Sequence, residues 1–168
     1  MRWGNCDFRQ LQKLQKKLEK FQRGDMEKFC EECAKELAAR FLAKVIKRTP
    51  VGQYPSSTGK KGGTLRRGWT AATEREAEAT AVFGGGTAAK TYADSLKITK
   101  TGNVYQVEII NSVNYASYVE FGHRTANHNG WVPGRFMLTI SEQELESQAP
   151  NILEKKLMKY LGECFNAE

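Results

Sequence analysis

The sequence predicts an α+β fold: long N-terminal helices packed on an antiparallel β-sheet of about four strands, with a C-terminal helix. Three observations predict it. Apolar residues recur at helical spacing from Phe8 to Ile46. The middle of the chain, from Leu65 to Asn111, carries short alternating runs broken by glycine-rich turns. Helical spacing then returns from Phe136 to Phe165. A chain of 168 residues, 40% apolar and 27% charged, is sized for one domain with a real core rather than for global disorder. The expected organisation is a helical extension over residues 1–24 and a single α+β domain over 25–168.

The first helix is expected over residues 7–23. Phe8, Leu11, Leu14, Leu18 and Phe21 form a stripe one residue wide per turn, which suits a helix laid on another surface. Asp7 suits its N-cap and Gly24 its stop. A second helix starts at Asp25. Met26, Phe29, Cys30, Cys33, Leu37, Phe41, Val45 and Ile46 lie along one face, with Leu42 beside it, and Glu27, Lys28, Glu31, Glu32, Lys35 and Glu36 lie opposite. Thr49-Pro50 ends it, because the residue before proline avoids helical angles. At about 24 residues it is roughly 36 Å long.

Residues 50–64 are dominated by Gly, Pro, Ser and Lys, and are expected to form a long mobile loop. Strands are expected at Leu65–Thr73, Ala77–Phe83, Tyr92–Lys100 and Val104–Asn111, the last two joined by a hairpin turn at Thr101-Gly102-Asn103. Tyr105, Val107 and Ile109 share one face of the last strand. A short helix follows from Tyr115, capped by Asn114 and stopped by Gly122. Residues 123–135 read as a second irregular loop. In the C-terminal helical part, Pro150 either kinks one helix or starts another.

Motifs of catalysis and ligation find little support. Cys30-Glu31-Glu32-Cys33 is a CxxC, but it sits mid-helix on the apolar stripe, and the flanking glutamates would raise a thiol pKa. The four cysteines therefore read as reduced thiols, mostly in or near the core. His123 and His128 are two ligands where a zinc site needs three or four. The glycine runs at 59–64 and 84–87 lack phosphate-loop spacing. There is no nucleophile elbow, no paired-histidine metalloprotease motif and no triad-like histidine. A non-enzyme without metal or cofactor is expected. No segment is apolar enough to span a bilayer and the start lacks a signal-peptide core, so synthesis in a cytoplasm and no membrane partner are expected.

Charge is unevenly placed on a net +7. Residues 47–73 carry Lys47, Arg48, Lys60, Lys61, Arg66 and Arg67 without an acid, whereas the chain from Glu142 onward is net acidic. Such asymmetry fits contact with nucleic acid, or head-to-tail pairing between identical subunits. The segment Tyr115–Phe136 is unusual for a surface region. Tyr118, Glu120, Phe121, Arg124, Trp131, Arg135 and Phe136 cluster there around glycines and Pro133. Aromatics and arginine are enriched where subunits bury one another, so these residues, with Arg66, Arg67 and Trp69, are the expected subunit or ring interface. Lys60 and Lys61 form a flexible basic loop.

Three motifs carry a family resemblance. Thr49-Pro50-Val51-Gly52, followed after a spacer by Gly63-Thr64-Leu65-Arg66 and Trp69, resembles a TPV…LR motif. Asn114-Tyr115-Ala116-Ser117-Tyr118-Val119-Glu120-Phe121-Gly122-His123-Arg124 resembles a YAxYVEFGT-R signature, with His123 in place of Thr. Pro133-Gly134-Arg135-Phe136-Met137 resembles a modified PxRPF motif. In this order, from about residue 26 to the C-terminus, they resemble the head–tail joining or tail-completion family of lambdoid and related tailed phages. The spacer before Gly63 is longer than usual, and the helix before Asp25 looks like an addition.

The resemblance implies an α+β subunit of a ring, commonly hexameric, in the neck of a phage, prophage or phage-like virion. The ring would be stacked on the tail tube or under the head connector. Its partners would be copies of itself and an adjoining connector, tail tube or tail terminator protein. DNA would pass through its hole and touch it only non-specifically. The competing expectation is a basic nucleic-acid-binding protein using residues 47–67.

Overall fold

A computed structural model describes residues 26–58, 62–71 and 91–166, the side chains of 164–166 excepted, together with Gln12, Gln15, Lys16 and Glu19, which are helical and exposed. The apolar stripe of the first helix, Lys60 and Lys61, and the strand at 77–83 lie outside the described residues.

Helix α1 spans Met26–Arg48 and buries Cys33, Ala38, Leu42, Val45 and Ile46. The spacing 38, 42, 45 puts these side chains on one stripe, while Glu27, Lys28, Glu31 and Glu32 face solvent. The helix closes on Thr49, whose N–H and Oγ1 both donate to Val45 O, at 2.9 and 2.7 Å. Burial pushes the Cys33 thiol up, against a weaker downward pull from Lys156.

The expected strand at Leu65–Thr73 is instead a single helical turn, α2 (Thr64–Arg67), entered through Gly63 at φ 95°. Leu65 and Trp69 stand four residues apart, so one turn sends both into the core. Asn111 Nδ2 donates to Leu65 O at 2.9 Å, and Ser112 N to Gly68 O at 3.2 Å, pinning this turn to the segment before the next helix. A Cβ on Gly68 would lie 2.2 Å from Asn111 Oδ1, so the close approach needs glycine.

The expected strand at 92–100 begins as a helical turn over 91–95, with Ala93 fully buried. Only β1 (Ile98–Thr101) is extended. It pairs antiparallel with β2 (Val104–Val107), Ile98 opposite Val107 and Thr101 opposite Val104. The turn falls at Gly102, φ 61°, where the sequence predicts it. The second strand stops at Val107, short of the expected Asn111.

Helix α3 (Ala116–Phe121) ends at Gly122, with Tyr115, not Asn114, at its N-cap and no side-chain cap bond. The supposed loop 123–135 is a hairpin, β3 (Gly122–Arg124) against β4 (Trp131–Pro133). The described residues thus hold two sheets of two strands each, not one sheet of about four.

Helix α4 (Met137–Asn166) is continuous through Pro150. The ring removes the amide that would bond the carbonyl of Glu146, but both residues are exposed, so that carbonyl faces solvent rather than the core.

The core lies where the inner face of α1 meets Leu65, Trp69, Ala71, Ala93, Val113 and Met137. Helices α1 and α4 pack antiparallel. At one end Glu144 receives Lys44 at 3.0 Å and Arg48 at 2.5 Å, with Arg48 also donating to Ser141 Oγ at 2.8 Å. Midway Lys156 meets Glu36 at 3.1 Å. At the other end the rings of Phe29 and Tyr160 stack at 4.7 Å.

These pairs make the clasp acid-sensitive. Hydrogen bonds from Lys44 and then Arg48 hold the Glu144 carboxyl below its ordinary range. The Arg40 hydrogen bond does the same for Glu36, against partial desolvation, with help from Lys156. A carboxyl with a lowered folded pKa adds stability above its unfolded value and loses it as pH falls through the folded value. The melting temperature should therefore fall between about pH 5 and pH 3. Glu144→Gln should flatten that decline, as thermal melts across the range would show.

Candidate functional site

The surface built by α3, β3, β4 and the start of α4 is a corner with a rigid inside and an aromatic outside. Gly122 turns the chain at φ 88°; a Cβ there would lie 2.5 Å from Val132 O. A Cβ on Gly134 would lie 2.2 Å from Glu120 O. The two glycines thus let the return strand cross directly over the end of α3. The crossing satisfies the last carbonyls of that helix: Arg135 N donates to Val119 O at 2.8 Å, and Phe136 N to Glu120 O at 3.0 Å. Phe136 itself sits at φ 49°, a left-handed conformation that costs a non-glycine residue free energy. Those bonds hold it there.

Glu120 joins the corner to α4. Its side chain is buried, 2% exposed. Oε2 accepts from Leu138 N at 3.0 Å, and Oε1 accepts from Thr139 N at 3.1 Å and Thr139 Oγ1 at 3.0 Å. A carboxylate from another element therefore caps the positive end of α4, filling the role a local Ser or Asp usually plays. At the far tip, Thr125 N donates to Gly130 O, and Gly130 N to Thr125 Oγ1, each at 3.0 Å, so the hairpin end is also ordered.

On this frame the large apolar side chains point into solvent. Phe121 is 62% exposed, Trp131 60% and Tyr118 59%, with Phe136 and Ile140 beside them less so. The His123 ring stands edge-on to Tyr118 at 5.9 Å. Arg124 and Arg135 are exposed on the same corner and have no ion-pair partner among the described residues. Bulky aromatics held outward by a stiff backbone lose little entropy on docking, which suits protein contact. Among the described residues no three His, Cys, Asp or Glu side chains come together to hold a metal.

Six of the expected interface residues thus share this corner: Tyr118, Phe121, Arg124, Trp131, Arg135 and Phe136. Four others are placed elsewhere. Glu120 serves the inside of the corner. Trp69 is in the core, its Nε1 donating to Thr49 Oγ1 at 2.8 Å. Arg66 donates to Thr49 O through Nη2 at 2.6 Å and Nε at 3.2 Å, and Arg67 donates to Gly62 O at 3.3 Å. These two arginines clamp the ends of the 50–63 loop, whose base is tight enough that a Cβ on Gly62 would strike Gly52 O. Ile140 and Val132, exposed here as well, escape sequence reasoning; the one signal for Ile140 is its spacing four residues after Phe136.

The family described as "Bacteriophage HK97-gp10, putative tail-component" matches residues 12–122, about two thirds of the chain. The chain belongs to this HK97-gp10-like family of bacteriophage tail components. The match begins at Gln12, inside the segment expected to be an extension, and ends at Gly122, where α3 stops. No curated protein and no solved structure matches the chain. Membership in a tail-component family makes this a structural protein of a phage virion, in contact with other virion proteins. Among the described residues no helix is long and apolar enough to cross a membrane.

Proposed function

We propose that this tail component is a ring-forming neck subunit, a head–tail connector or tail-completion protein that joins the tail to the head or caps the tail end. The observation that carries it is the stiff corner with its solvent-facing aromatics and two exposed arginines that have no ion-pair partner among the described residues. Isolated exposed apolar residues are ordinary, but several large aromatics held outward on one stiff corner mark a surface that is covered in the assembly. A closed ring, hexameric in this reading, covers such a patch on every copy. Its neighbours are an adjoining connector, tube or terminator protein, and it assembles in the host cytoplasm without catalysing a reaction.

The basic stretch 47–67 supports a nucleic-acid role less well. Arg48, Arg66 and Arg67 already serve the subunit, bonded to Glu144, Thr49 O and Gly62 O.

The test is light scattering of the purified chain, alone and with tails, together with electron microscopy of particles from a deletion strain. Rings and unjoined heads or malformed tail ends are expected. Normal infectious particles from the deletion strain would defeat the proposal. Phe121→Ala and Trp131→Ala should each weaken self-association by about 10- to 100-fold, read by analytical ultracentrifugation. Thermal stability of the subunit should be unchanged, because neither side chain is buried within it.

A further inference from the structure

A closed ring of identical chains needs two different patches on each subunit, one for each neighbour. The corner supplies one. The other candidate is an open apolar groove of about 820 Å³ between α1, the β1–β2 hairpin and α4. Phe29, Leu37, Phe41, Ile109, Leu145 and Leu157 are among its walls, and Glu142 and Glu154 also line it. That volume has room for several side chains.

Resting on the ring reading, we infer that the aromatic corner of one copy seats in this groove of the next. Three observations support a second copy as the occupant. The corner is exposed, aromatic and cationic, with Arg124 and Arg135 exposed. The groove is concave, apolar and anionic, and Glu142 and Glu154 are exposed without an ion-pair partner among the described residues. Apolar surface meets apolar surface and the charges are opposite, which sets register and orientation across an interface. The third observation is geometric. On α4, Ile140 is exposed next to the corner, while Leu138, Glu142 and Leu145 line the groove. At about 3.6 residues per turn Ile140 lies on the side of the helix away from those three. A patch at the start of one helix and its complement along another side of it let each subunit hold two neighbours at once, head to tail.

The groove carries its own reporters, Cys30 and Cys33. In the full chain with Cys164→Ser, the variant Val132→Cys puts a thiol on the exposed hairpin face that His123 and Tyr118 share. Mild oxidation should yield a ladder of covalent multimers on a non-reducing gel, with peptide mapping showing residue 132 linked to Cys30 or Cys33. Independently, Arg135→Glu and Glu154→Arg should each weaken association about 10-fold or more, and the double reversal should recover most of it. Oligomers of full size that link 132 only to 132, or leave both groove cysteines free, would overturn this seam and leave the ring standing. An intramolecular Cys6–Cys30 link would mean that the chain's own N-terminal segment fills the groove, which also overturns it. A chain that stays monomeric with and without tails would overturn both the seam and the ring.

Discussion

Trp69→Ala should lower the unfolding free energy by about 3–5 kcal/mol, the largest loss expected from any single substitution in this chain. The indole is 2% exposed and packs in the cluster where α1 meets α2 and α4. Removing it opens a cavity that flanking backbone, pinned by Asn111 and Gly68, is poorly placed to close. It also removes the donor to Thr49 Oγ1. A loss of that size is a large share of the stability of an ordinary domain, about 5–15 kcal/mol. Trp69→Phe should cost about 1–2 kcal/mol, because the apolar ring remains and Thr49 Oγ1 still bonds Val45 O. Urea unfolding of both variants separates packing from the hydrogen bond. A Trp69→Ala protein as stable as the parent would show that this cluster is not the core.

The second large effect falls on Glu120. Glu120→Ala should destabilise by about 2–3 kcal/mol, since it leaves Leu138 N, Thr139 N and Thr139 Oγ1 without their acceptors at a part-buried helix start. Glu120→Gln should cost less but still be measurable: the amide keeps one acceptor and turns its NH₂ toward a donor. Hydrogen exchange gives the direct reading, with the Leu138 and Thr139 amides losing protection before the rest of α4. The link between α3 and α4 is also what aims the aromatics. Self-association should therefore weaken in Glu120→Ala even though its side chain is buried within the subunit. Association at the parent's strength would separate the cap from the aim of the corner.

Much of the helical part of this fold was legible in the sequence. A stripe such as Ala38, Leu42, Val45 repeats over several turns, and repetition makes a period readable. The stops at Thr49-Pro50 and Gly122 are local events with local causes, as is the turn at Gly102. The strand expected at Leu65–Thr73 failed for the opposite reason. A single turn offers only one helical interval, Leu65 to Trp69, too little to outweigh neighbouring extended preferences. The β3–β4 hairpin failed likewise, since strands of three residues cannot display an alternation.

The aromatic corner divides in the same way. Its aromatic and arginine content marked the segment Tyr115–Phe136, and composition is a local property. The sorting of its members was not local. Glu120 and Phe121 are adjacent, yet one is buried as a helix cap and the other is exposed, because Leu138 and Thr139 return to the end of α3 only in the folded chain.

By itself, then, the sequence determined the helix Met26–Arg48 and its apolar face, the helical character of the C-terminal part, the stops at Thr49-Pro50 and Gly122, the turn at Gly102 and the family to which the chain belongs. All of these follow from side-chain periodicity and backbone preference over a few neighbouring residues. Only the tertiary structure decided that Trp69 and Glu120 work inside the subunit, that Arg66 and Arg67 clamp a loop, and that an aromatic corner stands at the start of α4 while an apolar groove runs along that helix. Those assignments depend on contacts between residues far apart in the chain, which no local pattern encodes.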